Sequence, residues 1–221
     1  MAVTPTKVIV ATPIYHHPTA EFLWCLLHLE GRDSFVMVKG VMLDQARRLL
    51  VQRALEDVNA THILMADSDL AFPPGALRSL LVHDVPVVAG VYPARQLPYA
   101  PLVYENSGSL FKLVEVPKEP TPVAAMPCGF MLVKREVFAA IDSRFGRARW
   151  FEIMPGIEPD LSFCKRVIAC GIKILCDPRV YIRHTVEVLL DISTAMQLAA
   201  GEREREDTVT SARCNWCGAP R

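Results

Sequence analysis

The feature that most constrains this chain is an alternation, kept up over its first two thirds, of short valine- and isoleucine-rich runs with longer segments of three- and four-residue apolar spacing. A strand covered on both faces reads as an unbroken apolar run, and a helix laid on such a sheet carries one apolar stripe. The alternation therefore predicts βαβ units around a sheet with helices on both faces. KVIVA at 7–11 is the first strand, and 18–31 is a helix with Pro18 near its start and Gly31 past its end. SFVMV is a second strand. In 43–58 the spacing of Leu43, Ala46, Leu50, Ala54 and Val58 predicts a second helix. HILMA (62–66) and VPVVAGVYPA follow as strands, with a third helix between them. Prolines and the polar stretch ENSGS between Arg95 and Pro127 predict hairpins in place of crossovers. GFMLVK then resumes as a strand, REVFAAI and DLSFCKRVIACG as helices, and IKILCD and RVYIRH as two more strands. The fold class is α/β, with a mixed, mostly parallel sheet.

At 221 residues the expectation is one domain over 1–185 and an appendage over 186–221, the latter a helix followed by a charged tail. The 24 basic and 24 acidic residues cancel, which excludes the long-range positive field of a general nucleic-acid binder, though not a local basic patch. No run of 18 apolar residues and no secretory leader are visible, so a cytoplasmic chain without a membrane span is expected. Five of the seven cysteines lie in apolar segments and fit a reducing compartment. The other two, Cys214 and Cys217, form a CxxC that is half of a structural Zn²⁺ site, or else a free pair.

The third strand runs straight into Asp67-Ser68-Asp69. If the extended geometry continues through Ser68, both carboxylates project to one side at the carboxyl end of a strand, where open α/β sheets bind ligands. Two converging carboxylates repel unless a cation lies between them, and oxygen ligands of this kind suit Mg²⁺ or Mn²⁺ carrying substrate phosphates. The alternative is that the acids only end a strand and cap the following helix. His184 closes the last strand in VYIRHT, where it can cap the backbone; His62 reads as structural.

In order, DSD, CGFMLVKREVF about sixty residues on, and IEPDLSFCKRVIACGIKILCDPRVYIRH about ninety residues on resemble the GT-A glycosyltransferases of the family 2-like, bacterial or phage type. ATPIY, ARRLLVQRAL and GVYPAR support the resemblance, which covers roughly residues 7 to 184. It implies a Rossmann-like nucleotide-diphospho-sugar transferase. Such an enzyme moves a sugar from a nucleoside diphosphate sugar to an acceptor hydroxyl, with Mn²⁺ or Mg²⁺ on the donor diphosphate. Asp69 would be the principal metal ligand and Asp67 a ribose or metal contact, with His184 completing the set. Pro13 and Tyr15 would face the nucleotide base, Arg47 and Arg95 the diphosphate, with Arg48 a further candidate. Cys128 and Gly129 would let the sugar approach the backbone. The family's Glu-Asp pair is split here by Pro159. Asp160 is the preferred base over Glu158, and both also suit a helix N-terminus.

The segment FGRARWFEIMPG, with Trp150 and Phe151 exposed, would form with Pro93–Pro127 a mobile acceptor rim. The acceptor is open among a saccharide, a lipid-linked glycan, a protein and a modified nucleic-acid base. The rivals are a nucleotidyltransferase on a related sheet and a non-catalytic nucleotide- or carbohydrate-binding module. The first would need a glycine-rich, basic loop after strand one, and ATPIYHHPTAEF has neither glycine nor lysine.

Overall fold

A computed structural model describes residues 5–96, 98–107, 110–186, 192 and 196. A first compact unit spans Met1–Thr185 and a second Val186–Arg221; Cys214 and Cys217 lie outside the described residues.

The first unit opens with β1 (Val8–Ile14), α1 (Ala20–His28), β2 (Ser34–Lys39), α2 (Leu43–Glu56) and β3 (His62–Ala66). β4 (Leu70–Ala71), α3 (Ala76–Leu81) and β5 (Val87–Val91) follow. The proline-rich region holds β6 (Tyr104–Ser107), β7 (Leu110–Leu113) and β8 (Thr121–Val123). The unit closes with β9 (Phe130–Lys134), α4 (Arg135–Phe145), α5 (Pro159–Ala169), β10 (Ile174–Tyr181) and β11 (Arg183–His184).

Seven strands form one sheet in the order β2-β1-β3-β9-β5-β10-β8. β1 is parallel to β2 and β3, and β10 to β5. β9 runs antiparallel to both its neighbours, and β8 is antiparallel to β10. Five strands thus share a direction, and their carboxyl ends make one rim. Alternate residues of β1 feed two cores. Ile9 and Ala11 pack with Leu50, Phe138 and Phe163 on one face, Val8 and Val10 with Phe22, Leu77 and Phe130 on the other. Burial on both faces is what the unbroken apolar runs require.

Three features differ from the sequence expectation. IKILCD and RVYIRH are not two separate strands: β10 runs from Ile174 through Tyr181, with a register shift between Asp177 and Tyr181. On α2 the buried stripe is Ala46, Arg47, Leu50, Val51 and Ala54, while Leu43 and Val58 are exposed. Trp150 and Phe151 are buried, not exposed; Trp150 Nε1 donates to the Phe138 carbonyl at 3.1 Å and Phe151 stacks on Phe163 at 4.7 Å. Two large rings gain more from the core under α4 and α5 than from a wet rim. Among the described residues no helix is long and apolar enough to cross a membrane, and Cys25, Cys128, Cys164, Cys170 and Cys176 are free thiols.

At the irregularity in β10, the buried Asp177 accepts from His83 Nε2 at 2.6 Å and from Arg179 Nε at 3.0 Å. Burial alone would raise this carboxyl, but the hydrogen bonds from Arg179 and His83 outweigh it and hold it at about 2. The folded state therefore prefers the ionised form more than the unfolded chain does. Its contribution is complete above about pH 4 and is lost as the pH falls toward 2, up to about 2 kcal/mol. Unfolding free energies of wild type and Asp177→Asn should differ near pH 5 and converge near pH 2.

Candidate functional site

The rim of the sheet carries Asp67 directly after β3, and a turn, not continued strand, follows: Leu70 N donates to the Asp67 carbonyl at 3.2 Å. The extended geometry expected through Ser68 therefore breaks, and the two carboxylates go to different partners. Three ties fix this turn. Asp67 N donates to Gly129 O at 2.8 Å, Thr19 N to Ser68 O at 2.9 Å and Thr185 N to Asp69 O at 2.9 Å.

Asp67 faces a buried cluster. Arg47, with no accessible surface, holds Asp160 in a two-pronged grip, Nε to Oδ1 at 3.1 Å and Nη2 to Oδ2 at 3.0 Å. Its Nη1 lies 2.7 Å from Asp67 Oδ1, yet both atoms are buried without a directed hydrogen bond. Cys128 N donates to Asp160 Oδ2 at 2.9 Å. Burial would lower the Arg47 guanidinium, but Asp160 and Asp67 hold it well above its ordinary value. Burial pushes the Asp67 carboxyl up against the Arg47 charge, with Asp160 adding to the rise. Arg47 is therefore a cross-link between acids, without access to a donor diphosphate. Asp160 is 8% exposed and commits both oxygens to Arg47 and Cys128, whereas Glu158, the N-cap of α5, is exposed and makes no capping hydrogen bond.

Cys128 and Gly129 are buried as well, so neither offers a surface to a sugar. Burial pushes the Cys128 thiol well up, away from nucleophilic character. The small residue at 129 is explained by Tyr92, whose hydroxyl accepts from Gly129 N at 2.9 Å. A Cβ at Gly129 would lie 2.2 Å from Tyr92 Oη and 2.9 Å from Asp67 Oδ2. Gly129→Ala is expected to cost about 1–3 kcal/mol in urea unfolding, because the backbone bond to Asp67 N leaves it little room to retreat.

Asp69 occupies the outer half of the site. β11 pairs antiparallel with β4, His184 against Leu70, and this pairing brings together residues far apart in the chain. His184 Nε2 lies 3.2 Å from Asp69 Oδ2, and Arg95 Nη1 lies 3.0 Å from the same oxygen. Burial would raise the Asp69 carboxyl, but the hydrogen bond with His184 and the Arg95 charge hold it below its ordinary value. His184 Nδ1 lies 2.9 Å from the Pro93 carbonyl. A carbonyl only accepts, so Nδ1 carries the proton. Nε2 then either carries one too or presents a lone pair to a carboxylate oxygen, an arrangement made favourable by a cation between them. Among the described residues no group of three or more His, Cys, Asp or Glu is set to hold a metal ion. Asp69 and His184 form a two-donor set. One carboxylate and one imidazole are too few ligands on their own, so any Mn²⁺ or Mg²⁺ here would need water and substrate phosphates to complete its shell.

Beside this pair a cleft of about 210 Å³ is walled by Pro13, Tyr15, Leu43, Asp67, Asp69 and Arg95. Of the residues marked from sequence, the structure brings Pro13, Tyr15, Asp67, Asp69, Arg95 and His184 to one place. It puts Arg47, Asp160, Cys128 and Gly129 beneath them, and leaves Trp150 in the core. Sequence reasoning missed Tyr92, whose ring packs edge-on to His184 at 5.7 Å; the signal was its place directly after β5, on the same rim.

No family model matches the chain, and no curated protein matches it. Among solved structures, A197 from STIV is similar with a TM-score of 0.57 and 13% identity, covering 85% of this chain and 98% of that one. At that identity the likeness is one of fold, a mixed α/β, mostly parallel sheet flanked by helices, consistent with a Rossmann-like GT-A type.

Proposed function

We propose that this chain is a metal-dependent glycosyltransferase that takes a sugar from a nucleoside diphosphate sugar to an acceptor hydroxyl. The observation that carries the reading is the meeting of His184 Nε2 and Asp69 Oδ2 at 3.2 Å, with His184 Nδ1 held by the Pro93 carbonyl, beside the Tyr15 cleft. Asp69 and His184 would hold Mn²⁺ or Mg²⁺, which supplies charge neutralisation to the departing diphosphate.

The protein's own groups do the rest. Tyr15, 75% exposed on the cleft wall, offers a face for a nucleotide base, and the exposed Arg95 swings from Asp69 to a phosphate oxygen. Arg47 is a positioning residue that keeps Asp67 and Asp160 in register. Glu158, the exposed acid at the start of α5, is the candidate to take the acceptor proton, since the oxygens of Asp160 are already engaged. Calorimetry with uridine diphosphate tests this. Affinity should rise about tenfold or more when Mn²⁺ replaces a chelator. Metal-independent binding would leave a nucleotide-binding module, and no binding would remove the donor site.

A further inference from the structure

A second cavity lies on the same rim, and its chemistry is that of an anion site. β9 runs against its neighbours, so α4 returns toward the carboxyl ends of the parallel strands and delivers residues 146–153 there. α2 opens at that rim too, directly after β2. Between them is a cavity of about 520 Å³, within the size range of small-molecule sites. Its walls include Asp44, Gln45 and Arg48 from α2 and Arg147, Arg149 and Glu152 from the returning segment.

The backbone that presents the arginines is held from several sides. Gly146 and Ala148 both take positive φ, 95° and 60°, and Ala148 N donates to Asp142 Oδ1 at 2.9 Å. Trp150 and Phe151 anchor the segment in the core, as described above. A non-glycine residue in the left-handed region is worth its strain where it aims neighbouring side chains. The charges are unevenly matched. Arg149 Nη1 and Arg166 Nη2 share Glu152 at 3.7 Å each, and Arg166 Nε is buried without a hydrogen bond. Arg48 and Arg147 make no ion pair among the described residues, which leaves two planar donor forks and one further acid, Asp44, on the cavity wall.

The cavity adjoins the donor cleft through α2. Leu43 and Ala46 line the cleft and Asp44, Gln45 and Arg48 line the cavity, while Arg47 between them holds Asp160. We propose that the cavity seats an acceptor sugar carrying a phosphate or a carboxylate, with Arg48 and Arg147 gripping that group. Guanidinium forks match either anion in a two-pronged way. The assignment as an acceptor rests on the glycosyltransferase reading; the anion site itself does not.

Titration of the full chain with glucose 6-phosphate, glucuronate and glucose, followed by NMR shifts at low ionic strength, tests it. At least one anionic sugar should bind saturably, and glucose about tenfold more weakly or not at all. The Arg48→Gln/Arg147→Gln variant should lose about tenfold for the anionic sugar, and Arg48→Lys/Arg147→Lys less. The ranking of the two anionic sugars separates phosphate from carboxylate. Equal binding of glucose, or full affinity in the glutamine variant, overturns the proposal. Uridine diphosphate with Mn²⁺ is titrated on the same samples. If it fails to bind while the anionic sugars do, the donor reading falls and the anion site stands.

Discussion

Arg47→Met is expected to lower the unfolding free energy by about 3–5 kcal/mol at neutral pH, the largest stability effect of any single substitution at this site. Arg47 has no accessible surface and is the one side chain that touches both Asp67 and Asp160 among the described residues. Methionine fills a similar volume but leaves two carboxylates facing each other with only Cys128 N still donating. The acids can then escape the repulsion only by taking up protons. Without the Arg47 charge that lowers it, the buried Asp67 carboxyl rises further above its unfolded-state value, so the penalty is full at high pH and shrinks as the pH falls toward 5. Urea unfolding at pH 8 and pH 5 should show that gap narrowing. Adding Asp67→Asn and Asp160→Asn to Arg47→Met should recover much of the loss, since an uncharged cluster has no unpaired ion to shelter. A loss below about 1 kcal/mol with no pH dependence would mean that the grip seen between Arg47 and the acids contributes little.

Asp69→Asn is expected to reduce Mn²⁺-dependent turnover of a nucleotide sugar by about 100-fold or more, with stability changed by less than about 1 kcal/mol. The small stability term follows from the ion pair being broken, because Arg95 is 64% exposed on its side. The large activity term follows from removing the only carboxylate that reaches His184 among the described residues. His184→Gln should fall in the same direction by about 10- to 100-fold, and excess Mn²⁺ should restore part of its activity but little of that of Asp69→Asn. Steady-state rates across a Mn²⁺ series separate these outcomes. If Asp69→Asn keeps both its rate and its metal response, the cation is held elsewhere.

The two variants probe layers of one site that differed in how openly the sequence announced them. The strands were readable because β1, β3, β5 and β9 are covered on both faces and carry unbroken apolar runs. Asp67 and Asp69 stood out because they follow a strand directly and His184 because it ends one, and strand ends meet on the rim. That Asp67 and Asp69 would diverge was not readable, since it depends on a turn at Ser68 fixed by Thr19, Gly129 and Thr185 from three other parts of the chain. The resemblance makes Arg47 a donor contact, and arginines are seldom fully buried. Its position gave a clue, three, four and seven residues before Leu50, Val51 and Ala54, inside the buried stripe. Trp150 misled in the opposite way. The segment FGRARWFEIMPG reads as a mobile rim, and only the space beneath α4 and α5 shows why the ring turns inward.

The pairing of β11 with β4 sets His184 beside Asp69, 115 positions away along the chain, so the order of synthesis matters. A chain emerging from the ribosome has both aspartates outside the tunnel long before His184, and most of the sheet can already be hydrogen-bonded by then. Closing so wide a loop is slow compared with local pairing. The Asp69–His184 pair is therefore among the last parts of the unit to assemble, and a nascent chain halted before β11 would be folded in its centre yet open at its mouth.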